Sequence, residues 1–177
     1  MNIYVMRHGT TVWNEKGIIQ GRSHNRLSKN GKILVKEVSK KHKNTKFNII
    51  FSSPLMRTMQ TANIMNQYHK VKIIKDDRLI EINQGIFTGR KKNSFTEKER
   101  QLRAVRDESC GMEKYQSVYL RVKDFLNELI SSRNVLIITH NVNATFIANI
   151  LSGNKVDFEN WNHTHNFDNA EIRCFEI

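Results

Sequence analysis

Asn2-Ile3-Tyr4-Val5-Met6-Arg7-His8-Gly9 opens the chain with a short apolar run that ends on an arginine, a histidine and a glycine. A brief run rich in β-branched and aromatic residues reads as a buried strand. The question it raises is what two ionisable side chains do at the strand's exit. The same pattern recurs at Phe47–Ser52, Val71–Ile74 and Val135–Thr139. The tail Ala170–Ile177 sets Ile172 and Cys174 against Arg173 and Glu176, and reads as an edge strand.

Helical patterns lie between these runs. Ser28 is the expected N-cap of a helix over Lys29–Lys41, with Leu34, Val35 and Val38 on one face. Ser53-Pro54 reads as an N-cap followed by proline at the first helical position, opening a helix to about Tyr68. Tyr115–Ile130 and Asn143–Leu151 carry apolar residues at helical spacing. Strands alternating with helices predict an α/β fold: a three-layer sandwich with a mostly parallel central sheet flanked by helices. The expectation is one domain over residues 1–177, with about 86–115 as an insertion or cap over the active site.

The chain has 177 residues, of which 38% are hydrophobic and 26% charged, which fits a soluble globular protein rather than a disordered one. No apolar stretch is long enough to cross a membrane, and the first residues lack the features of a signal peptide, so the expected compartment is the cytoplasm. Cys110 and Cys174 sit in no metal-binding spacing and are expected as free thiols. The net charge of +12 attracts anions, with nucleic acid, an anionic membrane surface and small phosphorylated molecules as candidates. The densest basic stretches, Lys36–Lys46 and Gly89–Arg106, also carry acids and are expected to be solvated faces.

Ligands of open α/β sheets bind outside the carboxyl ends of the strands. Arg7 and His8 follow the first strand, and Ser52-Ser53-Pro54 follows the second with Arg57 one turn on. Glu81 follows the third, and His140 the fourth. If the strands are parallel neighbours, these side chains converge. Arg7 and Arg57 offer charged forks for phosphate or carboxylate oxygens. A histidine can attack phosphorus, a second can donate to an oxygen gaining charge, and a glutamic acid can protonate a leaving alkoxide. Such a pocket suits phosphoryl transfer through a phosphohistidine, with no metal and no cofactor required.

These blocks resemble the histidine phosphatase superfamily, the phosphoglycerate-mutase-like proteins. The nucleophile signature Arg-His-Gly-x-Thr-x-x-Asn stands here as Arg7 to Asn14, followed by Gln20-Gly21 and by Leu27-Ser28-x-x-Gly31. Ser52-Ser53-Pro54-Leu55-x-Arg57-Thr58-x-Gln60-Thr61-Ala62, Leu79 to Gly85, Ile138-Thr139-His140-Asn141 and Asn169-Ala170-Glu171-Ile172 match the later blocks in order. The resemblance implies that His8 becomes the phosphohistidine. It implies that Arg7, Arg57 and His140 hold phosphoryl oxygens and that Glu81 protonates the leaving group, then activates water. Asn14, Gln20 with Gly21 and the backbone at Asn141 are implied as further substrate contacts. Departures lie around the pocket: asparagine follows the second histidine, Trp-Glu-Gly reads Phe87-Thr88-Gly89, and Gly-Glu-Ser reads Met112-Glu113-Lys114.

The related mutases carry a long insertion with extra basic residues between the acid and the second histidine. Only 58 residues separate Glu81 from His140. A phosphatase acting on a small acidic phosphorylated metabolite is therefore favoured over a mutase, with Lys91, Lys92 or Arg103 as candidate substrate contacts. A basic nucleic-acid-binding protein is the reading from another class, and no nucleic-acid motif supports it. The spacing His163-Thr164-His165 is a weak metal pattern, and Trp161 is expected in the core or at the pocket rim. Monomer and homodimer both stay open.

Overall fold

The computed structural model describes residues 2–129, 134–158 and 166–177. Trp161, His163 and His165 lie outside the described residues. Strands β1 (Asn2–Arg7), β2 (Ile49–Ser52), β3 (Lys72–Lys75), β4 (Val135–Thr139) and β5 (Ile172–Glu176) form one sheet in the order β3-β2-β4-β1-β5. The first four strands run parallel, and β5 pairs antiparallel with β1. The expected edge strand is thus at an edge.

The centre of the sheet shows why the layers form. All five residues of β4 are buried, as expected for a strand covered on both faces. Val135 and Ile137 point into a core with Ile3, Val5, Val118, Val122, Phe125 and Phe146. Leu136 and Ile138 point the other way, into a core with Met6, Val35, Ile50, Ala62 and Met65. Helices α1 (Val12–Glu15), α2 (Lys29–Lys41), α3 (Met56–Met65), α4 (Glu97–Ala104), α5 (Tyr115–Glu128) and α6 (Asn141–Leu151), with short 3-10 turns at Asp77–Leu79, Gly85–Phe87 and Glu108–Cys110, complete the described elements. The first core belongs to α5 and α6, and the second to α2 and α3. A third cluster of Ile19, Phe87, Phe95, Cys110 and Met112 lies within and beside residues 86–115. No helix among the described residues is long and apolar enough to cross a membrane.

Helix α2 has the expected bounds, with Ser28 Oγ accepting from Gly31 N at 3.0 Å. The α3 boundaries differ from expectation. Leu55, not Ser53, takes the N-cap position, because the Ser53 hydroxyl is engaged by His140 at 2.8 Å. The helix stops at Met65 because Asn66 turns its side chain onto both backbone groups of Val71, at 2.9 Å each. Helix α6 begins two residues early, with His140 at its N-cap but making no side-chain capping bond. The Lys36–Lys46 lysines are exposed as expected. The Gly89–Arg106 stretch is not a solvated face throughout: Arg106 is 4% exposed, and Arg103 stacks over Phe95. Both cysteines are free, Cys110 buried and Cys174 exposed.

The loop after β1 is clamped by α2. Ser28 N donates to Thr10 O at 2.9 Å, and a Cβ on Gly31 would lie 1.9 Å from Thr10 O. Helix propensity alone favours Gly31→Ala by about 1 kcal/mol. The collision reverses the sign, and Gly31→Ala is expected to cost about 1–3 kcal/mol in urea unfolding. A stabilised variant would contradict this packing.

Candidate active site

The parallel register sets Arg7 opposite Thr139 and Ser52 opposite Ile138. The next residues therefore leave the sheet at one level, with His8 N donating to Thr139 O and Ser53 N to Ile138 O. The rings of His8 and His140 meet edge-on with centroids 5.2 Å apart.

His8 is 2% exposed, and two contacts fix its tautomer. Its Nδ1 lies 2.7 Å from Gly9 O, which can only accept, so Nδ1 carries the proton. Its unprotonated Nε2 accepts from Arg57 Nε at 3.2 Å, and His8 lies on the cavity wall. Burial holds the imidazole well below its usual proton affinity, and the charges of Arg57 and Arg7 add to the effect. His8 is thus neutral at pH 7, the state a nucleophile needs.

His140 is fully buried. Ser53 Oγ lies 2.8 Å from its Nε2 and also accepts from Leu55 N at 3.4 Å. His140 Nδ1 has no hydrogen-bond partner among the described residues. It lies 3.9 Å from Glu81 Oε2. Burial lowers the proton affinity of His140, reinforced by Arg57, His8, Arg121 and Arg7. Burial raises that of Glu81 above the usual carboxylate range, against the pull of Arg57, the Ile82 N–H bond, Arg7 and Arg121. A carboxyl that keeps its proton at higher pH suits a general acid.

Arg57 is fully buried, and three of its five N–H donors are directed within the protein: one on Nη1 to Ser23 O at 2.7 Å, one on Nη2 to Gly21 O at 2.8 Å, and Nε to His8. Burial lowers its pKa to about 10, which leaves it charged at neutral pH. Arg7 donates Nη1 to Phe167 O at 2.6 Å, and its buried Nε has no partner among the described residues. Asn141 holds that carbonyl's segment in place, accepting from Phe167 N at 2.9 Å and donating to Asn166. The Asn141 side chain thus makes two bonds within the protein, while the residue also lines the neighbouring cavity.

A cavity of about 630 Å³ opens in front of this group. Arg7, His8, Asn14, Gln20, Gly21, Glu81 and Asn141 line it, while Arg57 and His140 stand behind its wall. Asn14 is held by Thr11 in a reciprocal cap, with 3.1 Å from Thr11 N to Asn14 Oδ1. Gln20 meets Thr11 Oγ1 at 2.9 Å. Lys92 and Arg103 lie on the wall; Lys91 does not. Three partners escaped the sequence reading. Ser53 was read as a helix cap, Thr61 accepts from Gly9 N at 3.1 Å, and Arg22 reaches the Glu81 carbonyl at 3.1 Å. Thr61 had a usable signal, one helical turn after Arg57; Arg22 had none.

A protein-family comparison matches the histidine phosphatase superfamily (branch 1) over residues 3–177. The chain belongs to the histidine phosphatase superfamily. It is a phosphatase of that superfamily. Phosphoserine phosphatase 1 of Hydrogenobacter thermophilus is 34% identical over 155 residues, 80% of this chain and 72% of that protein. A probable phosphoglycerate mutase GpmB of Escherichia coli is 38% identical over 99 residues, 56% of this chain and 46% of that one. Among solved structures, the alpha-ribazole phosphatase of Shigella flexneri superposes with a TM-score of 0.87 at 20% identity, covering 100% of this chain and 91% of that one. The mycobacterial glucosyl-3-phosphoglycerate phosphatase with VO3 superposes at 0.85 and 22% identity, covering 98% and 91%. These two likenesses establish the shared phosphoglycerate-mutase-like fold.

Arg57→Lys keeps the charge but loses the fork that joins His8 to two carbonyls. It is expected to lower kcat/KM about 10²–10³-fold and to weaken inhibition by inorganic phosphate. Unchanged values for both would remove Arg57 from the phosphate site.

Proposed function

We propose that the protein hydrolyses a small acidic phosphomonoester through a phosphohistidine on His8, without a metal. The observation that carries this reading is the neutral His8 on the cavity wall, its proton on Nδ1 and its unprotonated Nε2 held by Arg57 Nε, a bond that attack on phosphorus replaces. In the first step His8 Nε2 attacks phosphorus, the P–N bond forms and the P–O bond to the leaving group breaks. Glu81 passes its proton to the departing oxygen. Arg7, Arg57 and His140 stabilise the three phosphoryl oxygens as charge shifts onto them. In the second step the Glu81 carboxylate takes a proton from water, which attacks phosphorus and breaks the P–N bond. Inorganic phosphate leaves and Glu81 is again protonated. The two arginines provide the positive charge that a divalent cation supplies in other phosphoryl-transfer sites.

Residues 86–115 serve as the cap in this reading. They bring Lys92, Arg100, Arg103, Arg106 and Tyr115 to the cavity wall. Arg100 pairs with Glu97, and Arg106 bonds to the Asn83 carbonyl. Arg103 stacks over Phe95 and Phe87 at 4.5 and 5.7 Å, and its buried Nε has no partner among the described residues. A second anionic group on the leaving portion is the natural partner of Arg103 and Lys92. The relatives named for phosphoserine and glucosyl-3-phosphoglycerate support that class, since both compounds carry a carboxylate. The match to a probable phosphoglycerate mutase keeps isomerisation as the second reading.

A panel of phosphomonoesters assayed with EDTA tests the whole reading. Wild type is expected to release phosphate and His8→Ala to release none; equal activity in the two would overturn it, and isomer formation without phosphate would favour the mutase. The pH profile follows from the shifts. His8 must be neutral, so kcat/KM falls on acidification only below the usual imidazole value of about 6.5. Glu81 must be protonated, so the alkaline limb lies above the usual carboxylate range. Glu81→Gln is expected to lose that limb and about 10²–10⁴-fold in kcat/KM on alkyl phosphates, with far less loss in kcat/KM on p-nitrophenyl phosphate, whose leaving group needs no proton, while kcat falls on both because the second step lacks its base. Arg103→Ala is expected to raise KM about 10- to 100-fold for carboxylate-bearing substrates only. Equal effects on p-nitrophenyl phosphate would contradict its assignment.

A further inference from the structure

Glu81 sits on an irregular segment between β3 and α4, and such a segment needs external partners to hold a side chain in place. The partners converge on Glu113, which the assignment above leaves without a role. Glu113 Oε2 accepts from Asn83 N at 3.0 Å and from Arg22 Nη2 at 3.0 Å. Its Oε1 accepts from Arg121 Nε at 3.1 Å, and its backbone N donates to Asn83 O at 3.1 Å. Each of these arginines also grips the acid's segment. Arg22 Nε donates to the Glu81 carbonyl itself, and Arg121 donates to Arg78 O. Arg106 spans the backbone carbonyls of Glu113 and Asn83. It does so from a left-handed backbone, φ +50°, which a non-glycine residue holds only at a cost.

We infer that Glu113 is a positioning residue for Glu81: one carboxylate, bonded to Arg22, Arg121 and Asn83 N, fixes the place of the acid and the charge around it. This rests on Glu81 being the general acid. The inference goes beyond packing because Arg121, paired with Glu113, also acts on the acid's carboxyl, and Arg22, the other cation on Glu113, bonds the acid's own carbonyl. Arg57 on α3, Arg7 at the end of β1, Arg121 on α5 and Arg106 from the cap all act on Glu81, and His140 lies beside it. Arg121 favours the ionised form of Glu81 and is offset by its pairing with Glu113. Neutralising Glu113 removes a negative neighbour and leaves Arg121 and Arg22 uncompensated. Both changes favour the ionised form of Glu81. The alkaline limb must then move to lower pH.

The test is the pH dependence of kcat/KM for wild type, Glu113→Gln and Arg22→Gln, on an alkyl phosphate and on p-nitrophenyl phosphate, with Glu81→Gln alongside. Glu113→Gln is expected to shift the alkaline limb down by about one pH unit and to lose roughly tenfold activity above it, on the alkyl phosphate only. Glu113→Asp, which keeps the charge, is expected to leave the limb in place. Arg22 is 41% exposed, so Arg22→Gln leaves the fold intact and is expected to shift the limb upward. Should Glu113→Gln fail to fold, the upward shift in Arg22→Gln carries the test. Limbs that superpose on wild type in both variants would overturn the inference. So would an equal loss on both substrates with an unmoved limb, which marks a purely structural role. If Glu81→Gln itself shows wild-type leaving-group dependence, the acid assignment fails and takes the inference with it.

Discussion

Parallel pairing of β1 with β4, in a register that sets Arg7 against Thr139, is the constraint on which the rest depends. It brings His8 and His140 off the sheet at the same height, and the pairing of β2 with β4 adds Ser53 at that level. A strand slipped by one residue turns every side chain to the opposite face. The alternation of Val135 and Ile137 with Leu136 and Ile138 between two separate cores forbids such a slip. The chemistry is thus positioned by apolar packing several residues away. Nothing polar needs to hold the strands in register.

The second constraint is electrostatic. Arg7, Arg57, His8 and His140 are gathered with one carboxyl, Glu81, and burial works against every charge among them. The folded protein meets this in two ways. It keeps both histidines neutral, and it gives Arg57 two carbonyl oxygens rather than acids as partners. Carbonyls satisfy the donors without cancelling the charge. The positive field therefore stays available for a phosphoryl group, and the buried nitrogens Arg7 Nε and His140 Nδ1 are left without hydrogen-bond partners among the described residues. Buried polar atoms without partners are uncommon in native structures.

Much of this was legible in the chain. Continuous apolar runs gave the parallel strands, because a strand buried on both faces has no polar side to hide. The placement of His8, Arg57, Glu81 and His140 at strand exits followed from that, since ligand sites of such sheets gather there. The boundaries of α3 were misread, because Ser53 and Asn66 bond to distant partners and local rules cannot see those. The Gly89–Arg106 stretch was read as solvated for a related reason. Its charge density is that of a surface, yet Phe87 and Phe95 give Arg103 a face to stack on. The clamp of Arg22, Arg106 and Arg121 on Glu113 was invisible, because its members are spread across about a hundred residues with no local pattern.

The central claim is that phosphorus becomes bonded to His8. The most direct measurement is to mix Glu81→Gln with p-nitrophenyl phosphate, quench in base and map the phosphorylated residue. A good leaving group lets the first step proceed without the acid, and loss of the base stalls the second. The account predicts an acid-labile, base-stable phosphoryl group on Nε2 of His8, formed with one equivalent of p-nitrophenol. Release of p-nitrophenol with no phosphorylated protein, or a phosphoryl group on another residue, would contradict it.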